Sequence, residues 1–288
     1  MSLVETDWLE KNLDNVKIID CSWHMPLANR NGYEEYKKNH IPKSIFFDLD
    51  KNSKKETDLP HMLVSLDQWE KIVSEMGIDN NDKIIIYDNS DVVSACRCWY
   101  NFIYFGHKPE LVKVLNGGFN KWVIENKVTD TEIPIIIKTK YKAKELKKLV
   151  KNKKEINENI IDKQFDVIDA RNIERFKGEV KEPRAGLKSG NIKNSSCIPF
   201  NQLINSGYDV VCGPWHLPIL YVQPPAPRHH ISQRAAEERY PRRNVDRHRP
   251  GRHIRPHGVR RVHLHGLWDV RVWADGLVRV RRVSGGGT

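Results

Sequence analysis

Cysteine is scarce in this chain of 288 residues: five in all, at 21, 96, 98, 197 and 212, with no CxxC pair. That excludes a disulfide framework and points to a reducing compartment. No apolar run approaches the roughly 20 residues needed to cross a bilayer. The start, MSLVETDWLEKNL, has neither a basic nor an apolar leader region. The expectation is a cytoplasmic protein with no membrane partner. A dinucleotide fingerprint is missing too, because Gly117-Gly118 is a turn signal without G-x-G-x-x-G. His24, His40, His61 and His107 fall in separate motifs with no shared ligand spacing, so neither metal nor cofactor is expected.

Lysine is absent from one end of the chain. All 28 lysines precede residue 194, and the last 83 residues carry 15 arginines, eight of the 12 histidines and a net charge of +9, against +2 for residues 1–205. Lysine, asparagine and isoleucine have A/T-rich codons, whereas arginine, proline and glycine have G/C-rich ones. Residues 206–288 therefore read as a frameshift or chimeric join. The competing reading is a genuine basic tail that contacts an acidic or nucleic-acid partner. The segment LWDVRVWADGLVRVRRV alternates apolar and charged residues around Ala274-Asp275-Gly276 and could form a hairpin.

Before that break the pattern is an alternation. Val16–Asp20 reads as a buried strand, Tyr33–Asn39 as a helix, Leu66–Met76 as an amphipathic helix, and Lys83–Tyr87 as a fully apolar strand. Ala95–Phe105 then reads as a helix and Val112–Leu115 as a strand. Strands alternating with helices indicate crossovers and a parallel sheet, whose ligands bind beyond the strands' carboxyl ends. A second copy begins 149 residues after the first: VIDAR, ending the strand expected over Phe165–Asp169, repeats the IIDCS around Asp20. An Ile-rich element follows at a similar distance in both.

IIDCSWHMP, HIPKSIFFDLD, TDLPHMLVSLDQWE, VLNGGFNKW and DARNIERFKGEVKEPRAGLKSGNI together resemble the tandem rhodanese-like sulfurtransferases that act on 3-mercaptopyruvate and thiosulfate, over residues of about 3–205. The resemblance implies an α/β fold of two tandem rhodanese-like domains, each a parallel sheet flanked by helices, the second incomplete. Its divisions are a non-catalytic copy over 1–130, a linker over 131–160, the start of the second copy over 161–205 and the aberrant tail from 206. It implies a monomeric transferase that moves sulfane sulfur from a small anionic donor to a thiol or cyanide through a cysteine persulfide. Nucleic acid has no part in that reading.

The first 205 residues hold only five arginines, and three of them, Arg171, Arg175 and Arg184, crowd one segment. A guanidinium fork grips a carboxylate with two parallel hydrogen bonds, which a lysine cannot reproduce. By resemblance, Arg175 and Arg184 hold the donor's carboxylate; Arg171, at a strand end, is read as paired with a nearby carboxylate. The family's catalytic cysteine should stand near about residue 237, in a loop of small residues, but HHISQRAAEERYPRRN is found there. Cys212, in YDVVCGPWHLP, is the weak substitute, because it comes about 25 residues early and Pro214 and Trp215 would spoil an anion-binding loop. The catalytic residue is therefore unknown and this chain is expected to lack turnover. In the first copy Asp88 stands where a cysteine would, and it would repel a second anion. Cys96 and Cys98 are expected to be packing residues, with Cys21 and Cys197 in or near the core.

Overall fold

The computed structural model describes residues 2–57, 59–183 and 187–204, with the backbone of 268–272 and 278–282. Five parallel strands form the main sheet: β1 (Leu3–Val4), β2 (Lys17–Asp20), β3 (Ser44–Phe46), β4 (Ile84–Tyr87) and β5 (Val112–Leu115), in the order β1-β5-β4-β2-β3. Five helices accompany them: α1 (Thr6–Glu10), α2 (Gly32–Lys38), α3 (Leu66–Glu75), α4 (Ser94–Tyr104) and α5 (Gly118–Ile124).

The alternation of side chains along a strand sorts the core into two layers. From β4, Ile84 and Ile86 face one side, packing with Trp69 and Val73 of α3 and Cys98 and Phe102 of α4. Ile85 and Tyr87 face the other, with Leu9 of α1 and Trp122 of α5. All four β4 residues are buried, so the sequence reads as an uninterrupted apolar run, as a strand covered on both faces must. Helix α3 starts at a capping box, in which the Ser65 hydroxyl accepts the Gln68 N–H and the Gln68 side chain accepts the Ser65 N–H.

The chain after α5 runs without strand or α-helix past α3 and the end of α4, where Thr139, Lys144 and Leu146 donate to Ser74, Phe105 and Tyr104, then forms α6 (Lys153–Asp162). The linker boundary expected at residue 160 thus falls inside a helix. A second parallel pair follows: β6 (Ile168–Asp169) and β7 (Ser196–Cys197), with α7 (Ile173–Lys177) between them. The expected strand over Phe165–Asp169 is shorter than its apolar pattern. Asn159 takes both backbone groups of Phe165, accepting its N–H at 3.0 Å and donating to its carbonyl at 2.8 Å, so that residue has nothing left for a ladder.

The two β-α-β segments share details. In each, an aspartate ending the first strand accepts the N–H of the residue two positions on, Ser22 at 2.8 Å and Arg171 at 3.0 Å. In each, a left-handed residue, Lys43 (φ 65°) or Asn194 (φ 68°), closes a turn in which the serine N–H donates to an isoleucine carbonyl. In a separate compact unit, β8 (Trp268–Val272) pairs antiparallel with β9 (Val278–Arg282), the hairpin arrangement expected there; its turn lies outside the described residues.

Candidate active site

At the carboxyl end of β4 the chain turns through Asp88–Val93 into α4, and Val93 takes a left-handed conformation (φ 51°) to make that turn. The helix has no cap from its own flanking residue. Asp88 supplies one instead: its Oδ2 accepts the Ala95 N–H at 2.7 Å, the Ser90 hydroxyl at 3.0 Å and the Ser94 hydroxyl at 3.1 Å. Amides and hydroxyls aimed at one point before a helix form an anion cradle. Here the protein's own carboxylate fills it. Burial raises the Asp88 pKa in spite of these bonds.

A second carboxylate lies close by. Asp20, at the end of β2, is 3% exposed, and burial pushes its pKa up to about 7 against the hydrogen bond from Ser22, with the charge of Asp88 adding to the rise. Ser94 ties the two strand ends together, its hydroxyl lying 2.6 Å from the Cys21 carbonyl and accepting the Trp23 N–H at 3.2 Å. Cys21 is fully buried, and burial raises its pKa well above the usual thiol range, so it is no thiolate.

Around this cradle two polar clusters form that lie far apart in sequence. The Asp50 carboxylate joins Trp23, whose indole N–H donates at 2.8 Å, to His61, whose Nε2 also stands 2.8 Å away. Arg97 of α4 donates to the His61 carbonyl. In the other cluster Arg30 grips Glu35 with two bonds of 2.7 Å and reaches the Asn89 carbonyl at 3.1 Å. His24 Nε2 stands 3.1 Å from the same carboxylate. Burial opposes the charge on Glu35, but Arg30 and His24 outweigh it and hold the carboxyl below its usual range. Neither cluster is legible in the sequence, since Trp23, Asp50 and His61 belong to three loops.

In the second segment Arg171 pairs with Asp169 as expected, through Nε at 3.0 Å to each oxygen and Nη2 at 2.6 Å, and Nη2 also donates to the Gly190 carbonyl at 2.7 Å. This bond links the end of β6 to the loop that returns to β7. Arg175 sits half-buried in the last turn of α7, its N–H accepted by the Asn172 cap at 3.2 Å. Arg184 and Cys212 lie outside the described residues. Cys197 is half-buried, and burial, then the charge of Asp169, raises its pKa, which disfavours the thiolate a nucleophile needs. Cys98 is buried as expected; Cys96 is exposed, a correction to its reading as a packing residue. The face of α4 turned to the core runs through Ala95, Cys98 and Phe102, and Cys96 falls off that stripe.

Comparison with known proteins places this geometry. Residues 5–125 match the Rhodanese-like domain. The mitochondrial thiosulfate/3-mercaptopyruvate sulfurtransferase 1 of Arabidopsis thaliana is 37% identical over 231 residues, covering 71% of this chain and 59% of that protein. The 3-mercaptopyruvate sulfurtransferase of Rattus norvegicus is 32% identical over 213 residues, covering 71% of each. Among solved structures, SseA from Escherichia coli, described as a 3-mercaptopyruvate sulfotransferase of rhodanese fold, aligns with a TM-score of 0.66 at 27% identity, covering 73% of this chain and 79% of that one. The chain spans 59% and 66% of the length of two Arabidopsis relatives. From its parallel sheet, its strand-end cradle and these relatives together, the chain belongs to the rhodanese-like family of thiosulfate and 3-mercaptopyruvate sulfurtransferases.

Proposed function

We propose that this chain descends from a two-domain sulfurtransferase that moves sulfur from 3-mercaptopyruvate, or thiosulfate, to a thiol or cyanide, and that the chain itself does not turn over. In that chemistry a cysteine thiolate attacks the donor sulfur. The carbon–sulfur bond breaks, its electron pair leaves as the enolate of pyruvate, and the outer sulfur of the resulting persulfide passes to the acceptor. Arg175 and Arg184 would hold the donor's carboxylate. The two domains would be the tandem copies at 1–130 and from 161, the second cut short where the composition changes. The four described cysteines are all unpaired, which fits a reducing compartment such as the cytoplasm.

The observation that carries the reading is the Asp88 cradle. Its donors converge at a helix start, as an anion site requires, and their occupant is a carboxylate that cannot accept sulfur. Burial holds Cys21 and Cys197 as thiols, so neither of these two supplies an activated nucleophile. The test is incubation of the purified chain with 3-mercaptopyruvate and with thiosulfate, followed by thiocyanate and sulfide assays and intact mass. No turnover and no stable gain of one sulfur atom is the expected result. Turnover abolished by Cys212→Ser would refute it.

A further inference from the structure

Between Asp130, bridged to His40, and Thr139, whose N–H donates to the Ser74 carbonyl, the chain runs as an extended strip carrying the sequence Ile133-Pro134-Ile135-Ile136-Ile137. Three isoleucines at alternate positions stand in water: Ile133 is 51% exposed, Ile135 97% and Ile137 84%. Close backbone packing fixes this outward set. A Cβ on Gly77 (φ +66°) would meet the Ile137 carbonyl at 2.7 Å, so the strip lies flat against that glycine. At Lys138 the alternation shifts by one residue, and the exposed side chains change from apolar to basic. Thr139, Tyr141 and Ala143 turn inward, Tyr141 being fully buried, while Lys138, Lys140, Lys142 and Lys144 are exposed. From Ile133 to Lys154 there are nine lysines and one acid, Glu145. Lys138 and Lys142 reach Glu75 and Glu70, yet remain 71% and 79% exposed, and such surface pairs are weak enough to exchange for other anions.

We infer that this strip, three bare isoleucines followed by a row of lysines, docks on the surface of an anionic lipid bilayer. Exposed aliphatic side chains at a headgroup boundary, with lysines drawn to acidic lipid, are the two components of peripheral membrane binding. Nucleic acid fits less well, because single strands are held by stacking on exposed aromatics. The one aromatic in this stretch, Tyr141, is buried. The sequence expectation of no membrane partner rests on the lack of a spanning run; isoleucines spaced along an extended surface strip do not register in that measure. The inference is independent of the proposed sulfur chemistry.

The test is flotation of the full chain with vesicles of phosphatidylcholine alone and with about 30% phosphatidylglycerol. Binding to the anionic vesicles only, lost at about 0.5 M salt, is expected. Replacing Lys138, Lys140, Lys142 and Lys144 together by Gln should weaken it by nearly three orders of magnitude, roughly, since each such lysine is worth about fivefold. Ile135→Asp with Ile137→Asp should weaken it tenfold or more, by roughly the loss of two inserted side chains; both positions are so exposed that folding should be unaffected. Unchanged vesicle binding in both variants would overturn the inference and place the attraction elsewhere, in the arginine-rich tail. So would tighter binding to RNA than to vesicles, or a lipid-free dimer that the Ile→Asp pair dissociates.

Discussion

Asp20→Asn should stabilise this protein at neutral and alkaline pH, although it removes a charged hydrogen-bond acceptor. The carboxyl ionises near 3.8 in an unfolded chain and at about 7 when folded. Its folded pKa is raised, so the folded state keeps the proton through that window while the unfolded state has lost it. The contribution to stability is therefore complete below about pH 4 and falls as pH rises, at about 1.4 kcal/mol per pH unit, until it levels off above about pH 7. Across the window the loss is on the order of 4 kcal/mol. Asparagine cannot ionise and keeps an Oδ1 for the Ser22 N–H, at a cost of about 1 kcal/mol for the weaker neutral bond. The variant should thus gain roughly 3 kcal/mol over the parent at about pH 8 and fall about 1 kcal/mol below it at about pH 4. Asp88, raised in the same direction, leaves a residual slope in both proteins. Urea titration of each full chain at a series of pH values, followed by the fluorescence of the buried Trp69 and Trp122, measures this directly. Equal pH slopes in parent and variant, or a variant weaker than the parent at about pH 8, would refute the reasoning.

Arg171→Lys should destabilise the β6–β7 segment by about 1–2 kcal/mol, because an ammonium cannot hold both Asp169 oxygens and the Gly190 carbonyl at once; faster amide exchange at Ser196 and Ile198 would report it. Gly118→Ala should cost more than the usual one kcal/mol or so of a strained left-handed position. Its φ is +56° and the new methyl would meet the Asp88 carbonyl at 2.5 Å, so a variant with the parent's thermal midpoint would count against the tight packing of α5 on the cradle. Trp69→Ala should lose about 3–5 kcal/mol, since the ring is fully buried against Phe102 and Phe105 at 5.1 Å and 4.8 Å; calorimetry is the check.

Much of the first domain was legible because its signals are local. Val112–Leu115 is found at its expected bounds, and the starts or ends of β2, β4, α3 and α4 shift by a single residue. These segments are apolar in a period the eye can follow. Strand β1 escaped because two residues, Leu3 and Val4, carry no period. The strand expected over Phe165–Asp169 was read too long because its apolar pattern does not show that Asn159, six residues earlier, takes the Phe165 backbone. For the site, the Asp88 position followed from the family likeness, but its three partners depend on a left-handed turn at Val93. The Asp50, His61 and Trp23 cluster depends on three loops meeting, which no spacing encodes. Arg171 was legible because its partner is two residues away.

A carboxylate fastened to the strand beneath the helix it caps holds the amide and hydroxyls there ahead of any free anion. Tethering gives such a group a local concentration on the order of millimolar or above, which free sulfate or thiosulfate would have to exceed while also displacing a covalently retained rival. The loop from Ser90 to Ala95 should therefore keep one shape in any buffer salt. Evolution of a sulfur carrier at this position would have to begin by cutting that leash.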